Sequence, residues 1–288
     1  MSGNDSPANL TERFRNELNK HGYPFQFAAA DASRRAFENA QWRGLWKFEA
    51  CEFPVIVQGQ STRIDLILKH AEANIYLLIE CKRVDPALAD WCFARFPYVS
   101  RTRTYEAFLA EEFVRKGLVT GSVYMRDIRE EYYSIGLEVK DPTKKGDGTG
   151  GGRGAIEAAA SQACRGLNGM VECFAARPKS DFQAFLIPVI FTTARLWGCE
   201  VSLTSATDIE TGRIPAENME DLKALQVVLY QYHQSPGLKH TRSVTAKSET
   251  LGEILDLAYI RTIPIVTATG IESFLAGFDP TVEHPTRS

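Results

Sequence analysis

The sequence predicts an α/β protein built on a mixed β-sheet that is flanked by helices. Apolar residues recur at helical spacing near the N-terminus and again after residue 154. Three runs rich in β-branched and aromatic residues lie between these helical segments, and a fourth run follows the second segment. The composition is 44% hydrophobic and 24% charged over 288 residues, which is enough apolar material for one large domain or two small ones.

In the N-terminal part of the chain, the residue pattern predicts a flexible tail at residues 1–8 and then two helices. The first helix begins at Asn9, and Gly22 stops it. Its apolar stripe has a spacing of four residues and consists of Leu10, Phe14 and Leu18. The second helix covers roughly residues 28–40.

The segment FEACEFPVIVQGQSTRIDLILKHAEANIYLLIECKR, residues 48–83, predicts three successive strands. Their turns fall at QGQST and KHAEAN, and β-branched or aromatic residues dominate between the turns.

Residues 84–150 are a long insertion, in which YYSIGLEV predicts one strand. The insertion ends in KDPTKKGDGTGGGRG, whose glycine content predicts a mobile surface loop. This loop lacks the terminal GK[ST] of a phosphate-binding P-loop. A basic loop that becomes ordered on a nucleic acid is the alternative.

A helix and further strands are predicted after the insertion. The helix is AIEAAASQACRGLNGMVECFA, whose many Ala and Gly residues would let it lie close against a sheet. FLIPVIFTTARLWGCEVSL begins as a buried strand and continues as a hairpin or an extended arm. These elements complete a core at residues 9–214. Residues 215–288 are predicted as a C-terminal α/β extension packed on this core, with a helix in ENMEDLKALQVVLYQYHQ and a strand in IPIVTATG.

Several classes of protein are disfavoured by composition and motif spacing. The net charge is −3 and the pI about 6.0, so a nucleic acid would have to be bound by a local basic patch. The N-terminus lacks the regions of a secretory signal, and the apolar runs are too short to cross a bilayer, which favours a cytoplasmic protein without a membrane partner. The cysteines and histidines lack zinc-site spacing.

The residues that predict chemistry are Asp65 in RIDLIL and Glu80 and Lys82 in IECKR. Strand alternation places Glu80 and Lys82 on one face, with Cys81 on the other. A hairpin turn at HAEA would bring Asp65 opposite Glu80 across the ladder. Two carboxylates and the backbone carbonyl of Cys81 form a hard oxygen site suited to Mg²⁺ or Mn²⁺. Lys82 would orient or deprotonate a water, or stabilise negative charge in the transition state.

A purely structural interpretation of the same residues is also available. An ExK triplet commonly marks an exposed strand end with a lateral salt bridge, and Asp65 beside Arg63 would then be a surface residue. Like charges that face each other across two strands are destabilising, however. An acid pair flanked by the apolar runs LIL and YLLI therefore favours a bound cation.

With these motifs the sequence resembles the PD-(D/E)XK superfamily, the restriction-endonuclease-like nucleases. The family pattern is a helix, three strands, a helix and a fourth strand, with an Asp on the second strand and (D/E)xK on the third. RIDLIL and IECKR match these two strands, and the resemblance spans roughly residues 10–200. The proline of the motif is absent, since Ile64 precedes Asp65, and the insertion at 84–150 is a larger departure.

The resemblance implies two supporting positions. Members often place a Glu on the first helix facing the metal, and Glu12 fits that role, although Asn9 and Glu12 also have the spacing of a capping box. Glu52 on the first strand competes for the same role. Some members use a Gln on the helix after the motif, and here the candidate is Gln162, for which a structural hydrogen bond is the simpler explanation.

These observations lead to the hypothesis of a Mg²⁺-dependent (or Mn²⁺-dependent) nuclease that hydrolyses phosphodiester bonds, with DNA favoured over RNA. Asp65, Glu80 and Lys82 would be its catalytic residues. The main alternative is a non-catalytic nucleic-acid-binding or protein-interaction module on the same fold. A third hypothesis is a sensor in which residues 215–288 mediate oligomerisation, in line with a homo-oligomeric state.

Overall fold

A computed structural model describes residues 7–39, 46–71, 74–95, 107–114, 117–124, 132–144, 154–175, 185–233, 260–277 and 282–283. Within these ranges the chain is a mixed α/β protein, in which helices flank a mixed sheet. The helices are α1 (Pro7–Lys20), α2 (Tyr23–Asn39), α3 (Ala155–Ala175), α4 (Leu203–Ala206) and α5 (Ile271–Ala276).

The strands are β1 (Trp46–Val57), β2 (Gln60–His70), β3 (Ile75–Lys82), β4 (Asp90–Ala94), β5 (Ala107–Val114), β6 (Gly117–Tyr124), β7 (Tyr132–Tyr133), β8 (Ile135–Val139), β9 (Phe185–Thr192), β10 (Arg195–Cys199), β11 (Lys223–Leu225), β12 (Val227–His233), β13 (Ile260–Thr267) and β14 (Val282–Glu283).

The larger sheet has the strand order β1-β2-β3-β9-β13-β12-β7. Strands β1, β2 and β3 form an antiparallel meander, and β9 and β13 then add in parallel to β3 and to each other. Strand β5 also pairs with β9, and β6 and β14 follow it. A smaller sheet has the order β11-β10-β4-β8.

Helices cover both faces of the larger sheet. On one face, α2 and α5 share a core with alternate residues of the central strands; this core includes Leu66 of β2, Leu77 of β3 and Phe274 of α5. On the other face, α3 packs against β1, β2 and β3. Close approach depends on glycine there, since a Cβ atom on Gly169 would lie 2.6 Å from the side chain of Val55. The small residues of α3 therefore set its distance from the sheet, as the sequence predicts.

The N-terminal elements agree with the sequence except at their boundaries. Helix α1 ends at Lys20, and Gly22 follows with a φ of 76°, a conformation that glycine adopts without strain. Because α1 begins at Pro7, Asn9 lies inside the helix and not at the N-cap position that the alternative explanation of Glu12, a capping box, requires. Helix α2 begins at Tyr23, five residues before the predicted start. The predicted tail falls on residues 1–6, outside the described residues, and on the first turn of α1.

The helix predicted at ENMEDLKALQVVLYQYHQ is wrong. A short 3₁₀ turn, β11 and β12 occupy most of this segment, and β12 pairs antiparallel with β13. Helix-forming residues such as Glu and Lys suggested the helix, but pairing and burial of VVLYQYH override local propensity. The predicted strand IPIVTATG is confirmed as β13. Thus the C-terminal segment continues the sheet of the core.

The structure also tests the predictions for YYSIGLEV and for the chain after the buried strand FLIPVIF. The predicted strand YYSIGLEV is confirmed as β7 and β8, which Ser134 separates and which belong to different sheets. After β9 the chain continues as an extended arm, because β10 pairs with β4 and β11. The glycine-rich stretch at 145–153 lies outside the described residues. None of the described helices is both long and apolar enough to cross a membrane.

Candidate functional site

A cleft of about 620 Å³ opens where β2 and β3 reach the edge of the core. One wall is the turn between α1 and α2, which contributes His21 and Gly22. The N-terminus of α3, with Ala155 and Ala158, and Glu138 from β8 also line the cleft. The acidic part of the lining, called the floor below, consists of Glu52, Asp65 and Glu80.

The β2–β3 hairpin brings two of these acids side by side. Leu66 lies opposite Ile79, and the pairs continue in the same register to Lys69 and Tyr76. Extended by one residue, this register places Asp65 beside Glu80, as the sequence predicts. A carboxylate oxygen of Asp65 (Oδ2) accepts a hydrogen bond from the backbone N–H of Cys81 at 2.7 Å. Asp65 is thereby tied to the tip of β3.

Glu52 reaches the same floor through an irregularity in β1. The β1–β2 ladder pairs Cys51 with Leu66 and Phe53 with Ile64, and it skips Glu52 and Asp65 between them. Glu52 has a φ of 49°, which is uncommon for a residue with a side chain and is found at functional sites more often than elsewhere. This local distortion aims the Glu52 side chain into the cleft.

Gln26 on α2 is a functional candidate that the sequence interpretation missed. Its side-chain amide donates hydrogen bonds to Glu52 Oε1 at 2.7 Å and to the backbone carbonyl of Asp65 at 3.0 Å. The residue is only 7% exposed. A sequence signal did exist, because Gln26 shares its helix face with Ala29 and Ser33, both of which are buried. A polar residue with a long side chain on such a face must find a buried partner.

The electrostatics of the floor oppose ionisation of Asp65 and Glu80. Burial, reinforced by the charge of Glu52, raises the pKa of Asp65 from its ordinary 3.8 to about 6, although the Cys81 N–H and Lys82 act in the opposite direction. Burial and then the charge of Asp65 raise the pKa of Glu80 well above its usual range, again against an opposing effect of Lys82. Both carboxyl groups would ionise more readily beside a cation.

Lys82 lies in the same cleft at the end of β3. Its backbone carbonyl accepts hydrogen bonds from Thr192 Oγ1 at 3.0 Å and from the Thr193 N–H at 3.2 Å, which fix the strand end against β9. In the part of the chain that the structure describes, its ammonium group forms no ion pair within 4 Å. The ammonium group therefore stays available to a ligand in the cleft.

The structure does not bring Glu12 and Gln162 to this floor. Glu12 is 66% exposed on α1, where it lies 3.6 Å from Arg15. Gln162 on α3 donates a hydrogen bond to Thr62 Oγ1 at 3.1 Å. This is a structural hydrogen bond, the simpler of the two explanations considered for Gln162. Of the two acids that competed for one role, Glu52 is the one that lines the cleft.

The floor provides oxygen donors of the type that Mg²⁺ and Mn²⁺ prefer. Its side chains nevertheless make protein contacts: Glu52 Oε2 lies 3.1 Å from Arg63, and Asp65 accepts from Cys81. Across the described ranges, no group of three or more His, Cys, Asp or Glu side chains has an arrangement ready to hold a metal ion. A cation would therefore require these carboxylates to change their orientation.

No protein-family model, curated protein or solved structure matches the chain. The functional argument therefore depends on the geometry and the chemistry of the cleft.

Proposed function

We propose that the protein is a metal-dependent nuclease that hydrolyses phosphodiester bonds, with DNA as the favoured substrate. The observation that carries this proposal is the position of Asp65 and Glu80, two desolvated carboxyl groups beside each other on the floor of a cleft. Burial of like charges without a counter-ion is unfavourable, so the arrangement is expected to serve a bound cation.

The carboxylates of Asp65 and Glu80 and the backbone carbonyl of Cys81 would hold Mg²⁺ or Mn²⁺. Glu52, rather than the exposed Glu12, is the acid placed to assist them. When bound, the cation would polarise the scissile phosphate and lower the pKa of a coordinated water.

Lys82 would assist the reaction from the end of β3. Lys82 lines the same cleft as the acids, and its ammonium group would orient the attacking water and stabilise the negative charge that develops on phosphorus-bound oxygen. The water oxygen forms the new bond to phosphorus, the bond to the leaving oxygen breaks, and the proton of the water is transferred to solvent or to the leaving oxygen.

The order of elements supports a restriction-endonuclease-like core. Helix α2, the meander β1-β2-β3, helix α3 and strand β9 beside β3 follow the order of that family. Asp65 lies on the second strand and the Glu80–Lys82 triplet on the third. The insertion between β3 and α3 supplies strands to both sheets.

The test is a cleavage assay with end-labelled linear, nicked and branched DNA and with RNA, in Mg²⁺, Mn²⁺ or EDTA. We expect metal-dependent cleavage by the wild-type protein. Loss of one charge-stabilising group typically lowers kcat by about 10²–10³, so Asp65→Asn and Lys82→Ala should each reduce the rate by at least that factor.

Glu12→Gln is the matched control, because it also removes one carboxylate but on the exposed face of α1. Its activity should equal that of the wild type. Cleavage that survives both Asp65→Asn and Lys82→Ala would refute the site. Specific nucleic-acid binding without any cleavage would instead favour the non-catalytic binding module.

A further inference from the structure

The wall of the cleft formed by the α1–α2 turn carries two aromatic rings. His21 and Tyr23 both line the cleft, and their ring centroids are 6.2 Å apart with an interplanar angle of 35°. Tyr23 is 42% exposed, so part of its ring is available for contact. Gly22 between them has a φ of 76°, and this turn fixes the directions of both side chains.

The same wall lies close to the strand that carries the acids. A Cβ atom on Gly22 would be 4.0 Å from Cβ of Arg83, the residue that directly follows Lys82. The rings and the acidic floor therefore belong to one continuous surface. Lys20 and Arg83 also line the cleft. Arg83 adds positive charge next to the rings, and the ammonium group of Lys20 lies 2.8 Å from Glu17, in an exposed ion pair that a phosphate could exchange.

Aromatic faces beside cationic side chains match the two parts of a nucleotide. Proteins that bind single strands stack bases on aromatic rings and pair the phosphates with Lys and Arg. A base inside a duplex has both of its faces covered by its neighbours, and it must leave the stack before a protein ring can contact it.

We infer that His21 and Tyr23 form a base-stacking platform and that the cleft takes a single strand, such as a frayed end, flap or gap, in preference to an intact duplex. This inference rests on the proposed nuclease function, since it names the substrate class of the same cleft. The base next to the scissile phosphate would stack on Tyr23, and Lys20 and Arg83 would contact the adjoining phosphates.

The experiment measures binding without cleavage. The probe is a short single-stranded DNA that contains 2-aminopurine, whose fluorescence falls when the base stacks on an aromatic ring, and it is titrated with the full-length protein in EDTA and in Ca²⁺. The same strand annealed to its complement provides the duplex. We expect the single strand to bind at least about tenfold more tightly, with quenching on binding.

Tyr23→Ala should weaken single-strand binding by about tenfold and abolish the quenching, whereas Tyr23→Phe should retain both. Phe27→Ala is the matched control, because Phe27 lies one turn further along α2, is 63% exposed and does not line the cleft. Equal or tighter binding of the duplex, or equal effects of Tyr23→Ala and Phe27→Ala, would overturn the inference.

A parallel cleavage assay in Mg²⁺ separates this inference from the proposed function. Cleavage that depends on Asp65 but is unaffected by Tyr23→Ala refutes the stacking platform alone. Binding that depends on Tyr23 without cleavage of any substrate refutes the hydrolytic function and leaves the platform standing.

Discussion

Asp65 and Glu80 are held in a place where ionisation is unfavourable. Both carboxyl groups lie on a floor that is largely shielded from water, and this burial raises the pKa of each. The charge of Glu52 further raises the pKa of Asp65, and the charges of Asp65 and Glu52 further raise the pKa of Glu80. A protein that needed only stability would place apolar or amide side chains there. Acids retained at such positions are characteristic of functional sites.

This unfavourable position predicts that Asp65→Asn stabilises the metal-free protein at neutral pH. The pKa of Asp65 is about 6 in the folded state against 3.8 for an ordinary Asp, so its ionisation favours the unfolded state as the pH rises from about 4 to 6. Asn keeps an oxygen that can accept from Cys81. The free energy of unfolding should increase by on the order of 1–2 kcal/mol at pH 8, with no increase below about pH 4.

Urea unfolding of the wild type and the variant between pH 3.5 and 8 checks this expectation. Asp141→Asn is the control of opposite sign, because hydrogen bonds from Thr143 lower the pKa of Asp141 to about 2. That variant should lose stability above pH 4 rather than gain it. If Asp65→Asn is less stable than the wild type at pH 8, the proposed desolvation is wrong.

The residues of the cleft differ in how well the sequence predicts their positions. Asp65 and Glu80 were predictable as neighbours because one hairpin register fixes both, and that register follows from the turn alone. From the sequence, Glu52 was only one of two candidates for the supporting acid. The direction of its side chain depends on a backbone distortion that cannot be predicted from the residue type. Gln26 was missed because the predicted second helix began at about residue 28, after it, and because its partners are 26 and 39 residues away.

At the level of elements, α2 is hydrogen-bonded to two strands that carry the floor of the cleft. Through Gln26 it contacts both β1, at Glu52, and β2, at the carbonyl of Asp65. Residues that hold metal ligands in position often matter for affinity even though they do not touch the ion. Gln26 is therefore a positioning residue for Glu52 and Asp65.

We predict that Gln26→Ala weakens Mn²⁺ binding by roughly tenfold, because Glu52 and the Asp65 backbone lose a shared donor. The measurement is titration calorimetry with Mn²⁺, which reports affinity independently of turnover. Gln162→Ala is the control, since it also removes an amide hydrogen bond between a helix and a strand but outside the cleft. Equal affinities in the two variants would mean that Gln26 is only a packing residue.

The elements were predicted best where the pattern was local. The β1–β2–β3 meander and α3 follow from turn residues and from helical spacing. The segment VVLYQYH in β12 was misassigned for two reasons. The strand is buried on both faces, so apolar and polar residues do not alternate along its whole length, and it follows helix-forming residues in the sequence. Its true partner, β13, lies after residues 234–259, and such a distant pairing has no local signal.

At the level of the whole molecule, the C-terminal segment is part of the same sheet as the site. Strand β13 pairs in parallel with β9, which in turn pairs with β3. Helix α5 packs beside α2, and the Trp46 ring donates to the carbonyl of Leu275 at 3.1 Å. The segment therefore completes the core that holds the cleft.

We predict that a chain ending at Ile214 does not fold cooperatively. It would expose the edge of β9 and the apolar surface that Phe274 and Leu275 cover, and open strand edges promote aggregation. Thermal unfolding followed by circular dichroism checks this, with a chain that lacks only residues 284–288 as the control. A cooperative transition in the chain ending at Ile214 would show that residues 215–288 are an independent appendage.

The most direct test of a metal site at Asp65 and Glu80 is Mn²⁺ binding by the wild type, Glu80→Gln and Glu12→Gln, measured by titration calorimetry in two buffers of different ionisation enthalpy. We predict saturable binding with proton release, because carboxyl groups of raised pKa lose their protons to the cation. Glu80→Gln should weaken binding by at least about tenfold, and Glu12→Gln should leave it unchanged. Absence of saturable binding by the wild type, or equal binding by wild type and Glu80→Gln, would contradict the metal site.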